Sequence, residues 1–216
     1  MKIRIRPVSA IKPRKLSVEL ADLRVAAGDR AITLREVIQV LGGRAYMLLV
    51  LLLALPFITP IPLPGLSTPF GLAIALIAFR LSLGQRPWLP KKLQRKVLPA
   101  GFISKVFGFA EKLLRFFEKF LRPRLTFLTD TPRLVQLHAI FLLIAALVLL
   151  LPIPIPFTNS FPAWAILLLA AGLLERDGLF IIAGYLVFVA GVFYFIFLGE
   201  AATRLVQALL DWVRAW

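Results

Sequence analysis

The 216-residue chain is 60% apolar and 17% charged, whereas an ordinary globular domain is about 45–50% apolar and about 25% charged. Its formal net charge is +15, and it contains no cysteine. The composition predicts an integral membrane protein, and the missing cysteine excludes disulfides, thiol catalysis and thiolate metal sites.

Basic residues are concentrated in two stretches. Lysine and arginine occur ten times in residues 1–44 and twelve times in 84–133, but once in 45–83 and once in 134–198. Because loops rich in these residues stay on the cytoplasmic side of a membrane, both stretches are predicted to face the cytoplasm. The positive charge favours anionic lipid headgroups as partners, and nucleic acid is not expected because no nucleic-acid-binding motif accompanies it.

Residues 1–32 form a basic arm ahead of the apolar part. Pro7 and Pro13 lie among its charges, and the first apolar run begins only at Ala45. This pattern favours a flexible cytoplasmic arm and argues against a cleaved signal peptide. Residues 33–216 are expected to form one membrane domain, with no room for a separate soluble catalytic unit.

An internal repeat organises the membrane domain. In repeat one, residues 44–84, an apolar run from Ala45 to Ile58 is interrupted by prolines and resumes from Pro69 to Leu83, and repeat two, residues 134–178, follows the same order. Proline lacks an N–H and fixes φ, so each interruption must leave the helix. The proline breaks comprise Pro60, Pro62, Pro64 and Gly65 in repeat one, and Pro152, Pro154 and Pro156 in repeat two.

Hydropathy leaves the number of membrane crossings open. A straight crossing needs about 20 residues, and the two arms of repeat one have about 14 and 15. Each arm could cross by recruiting the proline segment, or each pair could form a re-entrant hairpin that returns to the cytoplasm. Irregular backbone at membrane depth must be buried in protein or line a wet cavity, so the breaks are candidate sites.

Residues 85–133 link the two repeats on the cytoplasmic side. Within this linker, residues 102–121 carry phenylalanines at helical spacing opposite lysines and an arginine, which predicts an amphipathic helix. Such a helix is expected to lie in the membrane interface, or alternatively to pack on the protein's own cytoplasmic face.

The chain ends with a long apolar run, residues 179–198, and an amphipathic tail over 199–216. The run is predicted to be the last transmembrane helix. Since both repeats start from the basic side, they are predicted to be parallel, related by an axis along the membrane normal. The predicted fold is an all-α integral membrane protein with two parallel-oriented repeats of proline-broken helix pairs, an interfacial amphipathic helix between them and one further C-terminal transmembrane helix.

Charged residues inside the apolar runs are the main candidates for a site, because charge at membrane depth needs a partner or a wet environment. Glu175 to Asp177 could form a cytoplasmic turn in which Gly178 supplies a conformation that other residues resist. Alternatively, the turn could fold inward so that Glu175 or Asp177 pairs with Arg80. The candidate network also includes the polar residues around the breaks: it comprises Arg80, Glu175, Arg176, Asp177, Ser67, Thr68 and Asn159, with Arg44 and His138 as weaker members.

The sequence offers no catalytic set. His138 is the only histidine, and no suitably spaced carboxylate makes it half of a metal site. Ser67 and Thr68 lack a neighbouring base, and no phosphate-binding glycine loop or dinucleotide motif occurs. The chain is predicted not to be an enzyme and to need no metal or cofactor.

Two sets of motifs carry a resemblance to a known family. The first comprises Gly42-Gly43-Arg44-Ala45, Ile61-Pro62-Leu63-Pro64-Gly65-Leu66-Ser67-Thr68 and Arg86-Pro87-Trp88-Leu89-Pro90, and the second comprises Leu150-Leu151-Pro152-Ile153-Pro154 with Gly172-Leu173-Leu174-Glu175-Arg176-Asp177-Gly178. Over about residues 37–197 the chain resembles the ExoD family of bacterial membrane proteins. That family often has His-Gly after the arginine, where this chain has Ala45-Tyr46. The resemblance implies a role in exopolysaccharide synthesis at the bacterial cytoplasmic (inner) membrane, and it implies no particular reaction. The distribution of basic residues predicts a multi-pass protein with a cytoplasmic N-terminus.

Three hypotheses for the function follow. The first is a transporter, or a protein that handles a lipid carrier such as a polyprenyl phosphate, with its site at the proline-broken helices. The second is a non-transporting scaffold or assembly partner of the polysaccharide machinery. The third, a membrane enzyme, lacks catalytic residues. Charged residues that converge with Ser67, Thr68 and Asn159 around a concave site would favour the first, and charged residues that face the cytoplasm would favour the second.

Overall fold

The computed structural model describes residues 17–18, 21–22, 25, 32–33, 42–59, 65–85, 97–98, 108, 111–112, 115, 119–151 and 155–214. The chain divides into two compact units, one of residues 1–45 with 89–120 and the other of residues 46–88 with 121–216. Apart from one short ladder, the regular elements of the described part are all helices, so the predicted all-α character is confirmed. The predicted domain bounds stay a prediction.

The helices follow the apolar runs closely. They are α1 (Arg44–Ala54), a 3₁₀ turn (Leu55–Phe57), α2 (Ser67–Ser82), α3 (Phe127–Asp130), α4 (Pro132–Leu149), α5 (Ser160–Glu175) and α6 (Gly178–Arg214). Pro56 explains the end of α1, because a proline cannot donate to the helix ladder and tolerates only the tighter turn there. Pro132 instead occupies the first position of α4, where its missing N–H costs nothing.

The first unit contains the short ladder. Strand β1 (Ile32–Thr33) pairs antiparallel with β2 (Val97–Leu98), with Ile32 opposite Leu98. Residues 108, 111, 112, 115, 119 and 120 are helical, and Glu111 pairs with Arg115 one turn away. Most of the predicted amphipathic helix 102–121 lies outside the described residues, so its position in an interface stays a prediction.

In the second unit α2 lies antiparallel against α4. The start of α2 meets the end of α4, since a Cβ added at Gly71 would come within 3.2 Å of the Ala146 oxygen and of Leu150. The segment after α2 meets the other end of α4, where Gly84 lies against Gln136. The two helices are therefore in contact along most of their length.

Helices α5 and α6 also pack antiparallel, through glycines that let the backbones approach closely. A Cβ at Gly172 would come within 2.8 Å of Ile181, and one at Gly184 would come within 2.8 Å of Leu169. Four alanines of α5 are fully buried as well: Ala163, Ala165, Ala170 and Ala171. Small residues at helix contacts are typical of helices that pack inside a membrane.

Two of the described helices, Pro132–Leu149 and the apolar part of α6, are long and apolar enough to cross a membrane. Their outer faces carry large apolar side chains that the described residues do not cover: Leu186, Phe193 and Phe197 of α6 are 67%, 66% and 69% exposed. The fully buried side chains lie between the helices instead, and the largest are Phe57, Leu51, Ile74, Ile77, Leu142, Leu149, Ile166, Leu167 and Leu169.

Helix α6 is longer than the predicted final span. It runs 37 residues from Gly178 to Arg214 without interruption, so residues 199–214, predicted as a separate tail, continue the same helix. Gly199 does not end it, because a single glycine in a helix interior costs only about 1 kcal/mol. Three charged residues of this extension, Glu200, Arg204 and Asp211, lie along one stripe of the helix.

Candidate functional site

The described residues that flank the two proline breaks lie at the same end of the second unit, here called the break end, which comprises residues 58–59, 65–68, 150–151 and 155–160. Ser160 at the start of α5 donates its hydroxyl to the Thr59 carbonyl over 3.0 Å. Trp164, one turn on, donates its indole N–H to the Ile58 carbonyl over 3.1 Å. Carbonyls that the 3₁₀ turn leaves without helical partners are thus satisfied by repeat two.

The reciprocal contact runs from repeat one to repeat two. Thr68, at the start of α2, donates to the Leu150 carbonyl at the end of α4 over 3.4 Å. Tyr194 of α6 donates its hydroxyl to the Pro156 carbonyl over 2.7 Å. The described backbone of each break is therefore held by a side chain from another element.

Three further predicted residues lie at the break end. Ser67 is buried at the first position of α2, and Gly65 has a φ of +77° that favours glycine. Asn159 precedes α5, and its Oδ1 is buried with no hydrogen-bond partner within the described residues. Pro156 is exposed. Of the other predicted break residues, Pro60, Pro62, Pro64, Pro152 and Pro154 lie outside the described residues.

The opposite end, here called the basic end, comprises residues 83–85, 121–138 and 175–179. Asp177 is its fully buried centre. Its Oδ1 accepts the N–H of Leu179 over 3.0 Å, which caps α6, and its Oδ2 accepts the N–H of Arg122 over 2.9 Å. A carboxylate suits this position, because it accepts two orphan N–H groups and faces the positive end of the helix dipole.

The turn between α5 and α6 differs from the prediction in one respect. Arg176 has the positive φ of +58°, whereas Gly178 has none. Gly178 is required for close approach instead, since a Cβ there would come within 2.7 Å of the Leu125 oxygen. Its N–H donates to the Arg124 carbonyl over 2.7 Å, and the Arg176 side chain pairs with Asp130.

His138 is buried within the basic end. Its Nε2 lies 2.8 Å from the Leu128 carbonyl, and its Nδ1 lies 2.6 Å from the Tyr185 hydroxyl. A carbonyl only accepts, so in the neutral ring Nε2 carries the hydrogen and Nδ1 accepts from Tyr185. His138 thus ties α3, α4 and α6 together, and no group of three metal-ligating side chains occurs in the described part of the chain.

The predicted network is divided between the two ends. Both oxygens of Asp177 accept backbone N–H groups, and its predicted pairing with Arg80 stays a prediction. Arg80 lies half-exposed in the last turn of α2, towards the basic end, as does Glu175 at the end of α5. Ser67, Thr68 and Asn159 lie at the break end, so no common site joins them to the charged residues. Arg44 begins α1, and a binding role for any of these residues stays a prediction.

Several residues that shape these two ends were not predicted from the sequence. They are Asp130, Tyr185, Ser160, Trp164 and Arg122, whose partners lie between 46 and 106 positions away in the chain. Hydropathy carries no information on pairs so far apart. One sequence feature could have indicated Ser160. A serine stands two residues before a proline at the start of both α2 and α5.

Comparison with known proteins gives consistent matches. The profile of the family described as "Exopolysaccharide synthesis, ExoD" matches residues 16–197. The chain is 36% identical over 197 residues to Protein ExoD of Rhizobium meliloti, covering 91% of this chain and 82% of that protein. It is 31% identical over 209 residues to an uncharacterised protein of Synechocystis sp., slr1875, covering 93% of this chain and 96% of the relative. No solved structure matches.

Proposed function

The chain belongs to the ExoD family, and from this premise we propose that it serves exopolysaccharide synthesis as a non-catalytic assembly partner embedded in the cytoplasmic membrane. The family match implies the role in exopolysaccharide synthesis. The proposal adds that the protein acts through the surface of its helical body, and that its polar residues hold that body together.

The observation that carries the proposal is the use of polar side chains at both ends. Asp177 binds two backbone N–H groups, and His138 binds a carbonyl and a hydroxyl. Ser160 and Trp164 each bind a carbonyl beside a break. Their hydrogen bonds are made within the protein and stabilise helix ends, which supports a structural part for these residues.

Embedding in the membrane is supported by the exposed apolar faces of α4 and α6. In water such a surface would associate or aggregate, whereas lipid tails or a membrane partner cover it without cost. We further propose two parallel repeats and five crossings, by α1, α2, α4, α5 and α6, with the basic end in the cytoplasm. The equal length of α2 and α5, 16 residues each and 93 positions apart, supports the repeat.

A second candidate function is the handling of a polar substrate or lipid carrier at the break end. Asn159 favours this second candidate, because its buried amide oxygen has no partner within the described residues and is costly unless something binds it. A hydroxyl-rich sugar or a carrier headgroup would offer the missing donor. Under this alternative the assembly surface is secondary and the break end carries the function.

Two measurements separate these functions in cells that depend on this protein for polysaccharide. A photo-crosslinking residue at Phe193 or Phe197, with the fully buried Leu169 as control, reports neighbours in the membrane. The proposal expects crosslinks to a protein of the polysaccharide machinery from the two exposed positions and none from Leu169. It also expects Asn159→Leu to leave polysaccharide yield within about twofold of the wild type.

The opposite pattern supports the second candidate. If Phe193 and Phe197 crosslink only lipid, and Asn159→Leu abolishes polysaccharide while the protein remains in the membrane at normal abundance, the assembly proposal is rejected. Asn159→Ser, which keeps a small hydrogen-bonding group, should then retain more yield than Asn159→Leu.

A further inference from the structure

We infer that the basic end carries a binding site for the phosphate of anionic membrane lipids, formed by Arg122, Arg124 and Arg133. The inference rests on the proposed placement in a membrane and deepens it by naming a lipid class and the residues that select it. The observation that carries it is a fixed loop that presents Arg122 and Arg124, with Arg133 exposed in the first turn of α4. None of the three makes an ion pair within the described residues.

The corner is held by backbone contacts. The N–H of Arg122 donates to the buried Asp177 carboxylate, and the carbonyl of Arg124 accepts the N–H of Gly178. Gly178 also lies directly against Leu125. Residues 122–125 are therefore fixed onto the start of α6, so their exposed side chains project from an ordered backbone and lose less entropy when they bind.

Positive charge exceeds the available negative charge on this surface. Arg122, Arg124 and Arg133 are exposed and make no ion pair within the described residues. The nearby carboxylates are already engaged, since Asp130 pairs with Arg176 and Asp177 binds backbone N–H groups. Glu175 is half-buried and makes a contact of its own. The three arginines are therefore available for an anion from outside the chain.

Apolar side chains place the same corner at the level of lipid headgroups. Phe127 is 62% exposed, and Leu125 and Leu179 are also exposed beside the arginines. Helix α4 begins here, α5 ends here and α6 begins here, so the surface lies where three apolar helices leave the hydrocarbon. Aromatic and apolar groups next to cationic ones suit the membrane–water boundary.

Guanidinium groups match this ligand chemically. Arginine offers several N–H donors in a planar fork that binds two phosphate oxygens at once. Each basic residue near an anionic membrane surface strengthens binding by about fivefold. A site of three arginines should therefore prefer phosphatidylglycerol over zwitterionic phosphatidylcholine by up to about a hundredfold.

The test uses the full-length chain purified from membranes in detergent. Phosphatidylglycerol and phosphatidylcholine are titrated separately and the bound lipid is counted by native mass spectrometry. Each of Arg122→Gln, Arg124→Gln and Arg133→Gln should weaken phosphatidylglycerol binding by about fivefold, and the triple variant should lose the preference. Arg204→Gln, an exposed arginine of α6 far from this corner, is the matched control and should bind like the wild type.

Further measurements distinguish the ways in which the inference could be wrong. The triple Arg→Lys variant should keep most of the preference, and inorganic phosphate at the same concentration should not compete. A triple Gln variant that unfolds at the wild-type temperature and still prefers phosphatidylglycerol overturns the site, and competition by inorganic phosphate overturns its assignment to lipid. A wild-type chain that does not fractionate with membranes rejects the proposed function itself, which is a distinct result.

Discussion

Asp177 shows how one residue can be found by sequence and assigned a different role by structure. A carboxylate between two apolar runs is unusual, so the sequence predicts a charged site there. Its burial and its two backbone bonds explain the charge without a ligand. The same residue caps one helix and fixes a loop 55 positions away in the chain.

Replacing Asp177 should therefore destabilise the protein strongly. We expect Asp177→Ala to lower the free energy of unfolding by about 2–4 kcal/mol, because a helix cap is lost and the N–H of Arg122 is left unpaired. Asp177→Asn keeps an acceptor for one of the two N–H groups and should cost less than Asp177→Ala. The measurement is denaturant or thermal unfolding of the purified chain in detergent.

The control is Asp211→Asn, on an exposed carboxylate of the same helix. It should change the free energy of unfolding by less than about 0.5 kcal/mol. Equal effects of Asp177→Ala and Asp211→Asn would contradict the capping role of Asp177.

At the scale of elements, the apolar runs predicted most helices to within about two residues. The runs 69–83 and 161–174 became α2 and α5, because 15 and 14 positions that are apolar except for Arg80 and Ser82, with flanking turn residues, leave little choice. The end of α6 was not predicted, since Gly199 and Glu200 look like a boundary but neither forces one. The packing partners of each helix were not predictable either, because they depend on glycines and alanines that hydropathy treats as neutral.

Two glycines of similar sequence context should respond oppositely to alanine. Gly172→Ala places a Cβ 2.8 Å from the Ile181 side chain and 2.9 Å from the backbone carbonyl oxygen of Asp177. It should therefore destabilise the α5–α6 contact by about 1–3 kcal/mol. Gly199→Ala meets nothing within 4 Å and should stabilise α6 by about 0.5–1 kcal/mol. Unfolding curves of both variants in one detergent provide the comparison, and destabilisation by Gly199→Ala would argue against a continuous helix at that position.

At the scale of the whole molecule, the second unit separates polar residues by end. The break end holds uncharged polar groups and carbonyls, whereas the basic end holds Arg122, Arg124, Arg133 and Arg176 together with Asp130 and Asp177. Helices α2 and α5, at 16 residues, are each about 24 Å long, somewhat shorter than a hydrocarbon layer of about 30 Å. The break end is therefore expected within several ångströms of one membrane surface, and the basic end at the other.

This arrangement can be tested by labelling single cysteines, because the chain has none of its own. Tyr194 binds Pro156 six residues before Glu200, which places the break end about 9 Å along α6 from that charge. Cysteines at Leu66 and Glu200 should thus react with a membrane-impermeant thiol reagent in intact cells. Cysteines at Phe127 and Arg176 should react only in inverted vesicles. If Glu200→Cys reacts from outside while Leu66→Cys reacts only from the cytoplasmic side, the helix pairs re-enter and α6 alone crosses, since a break that opens to the cytoplasm cannot end a crossing helix.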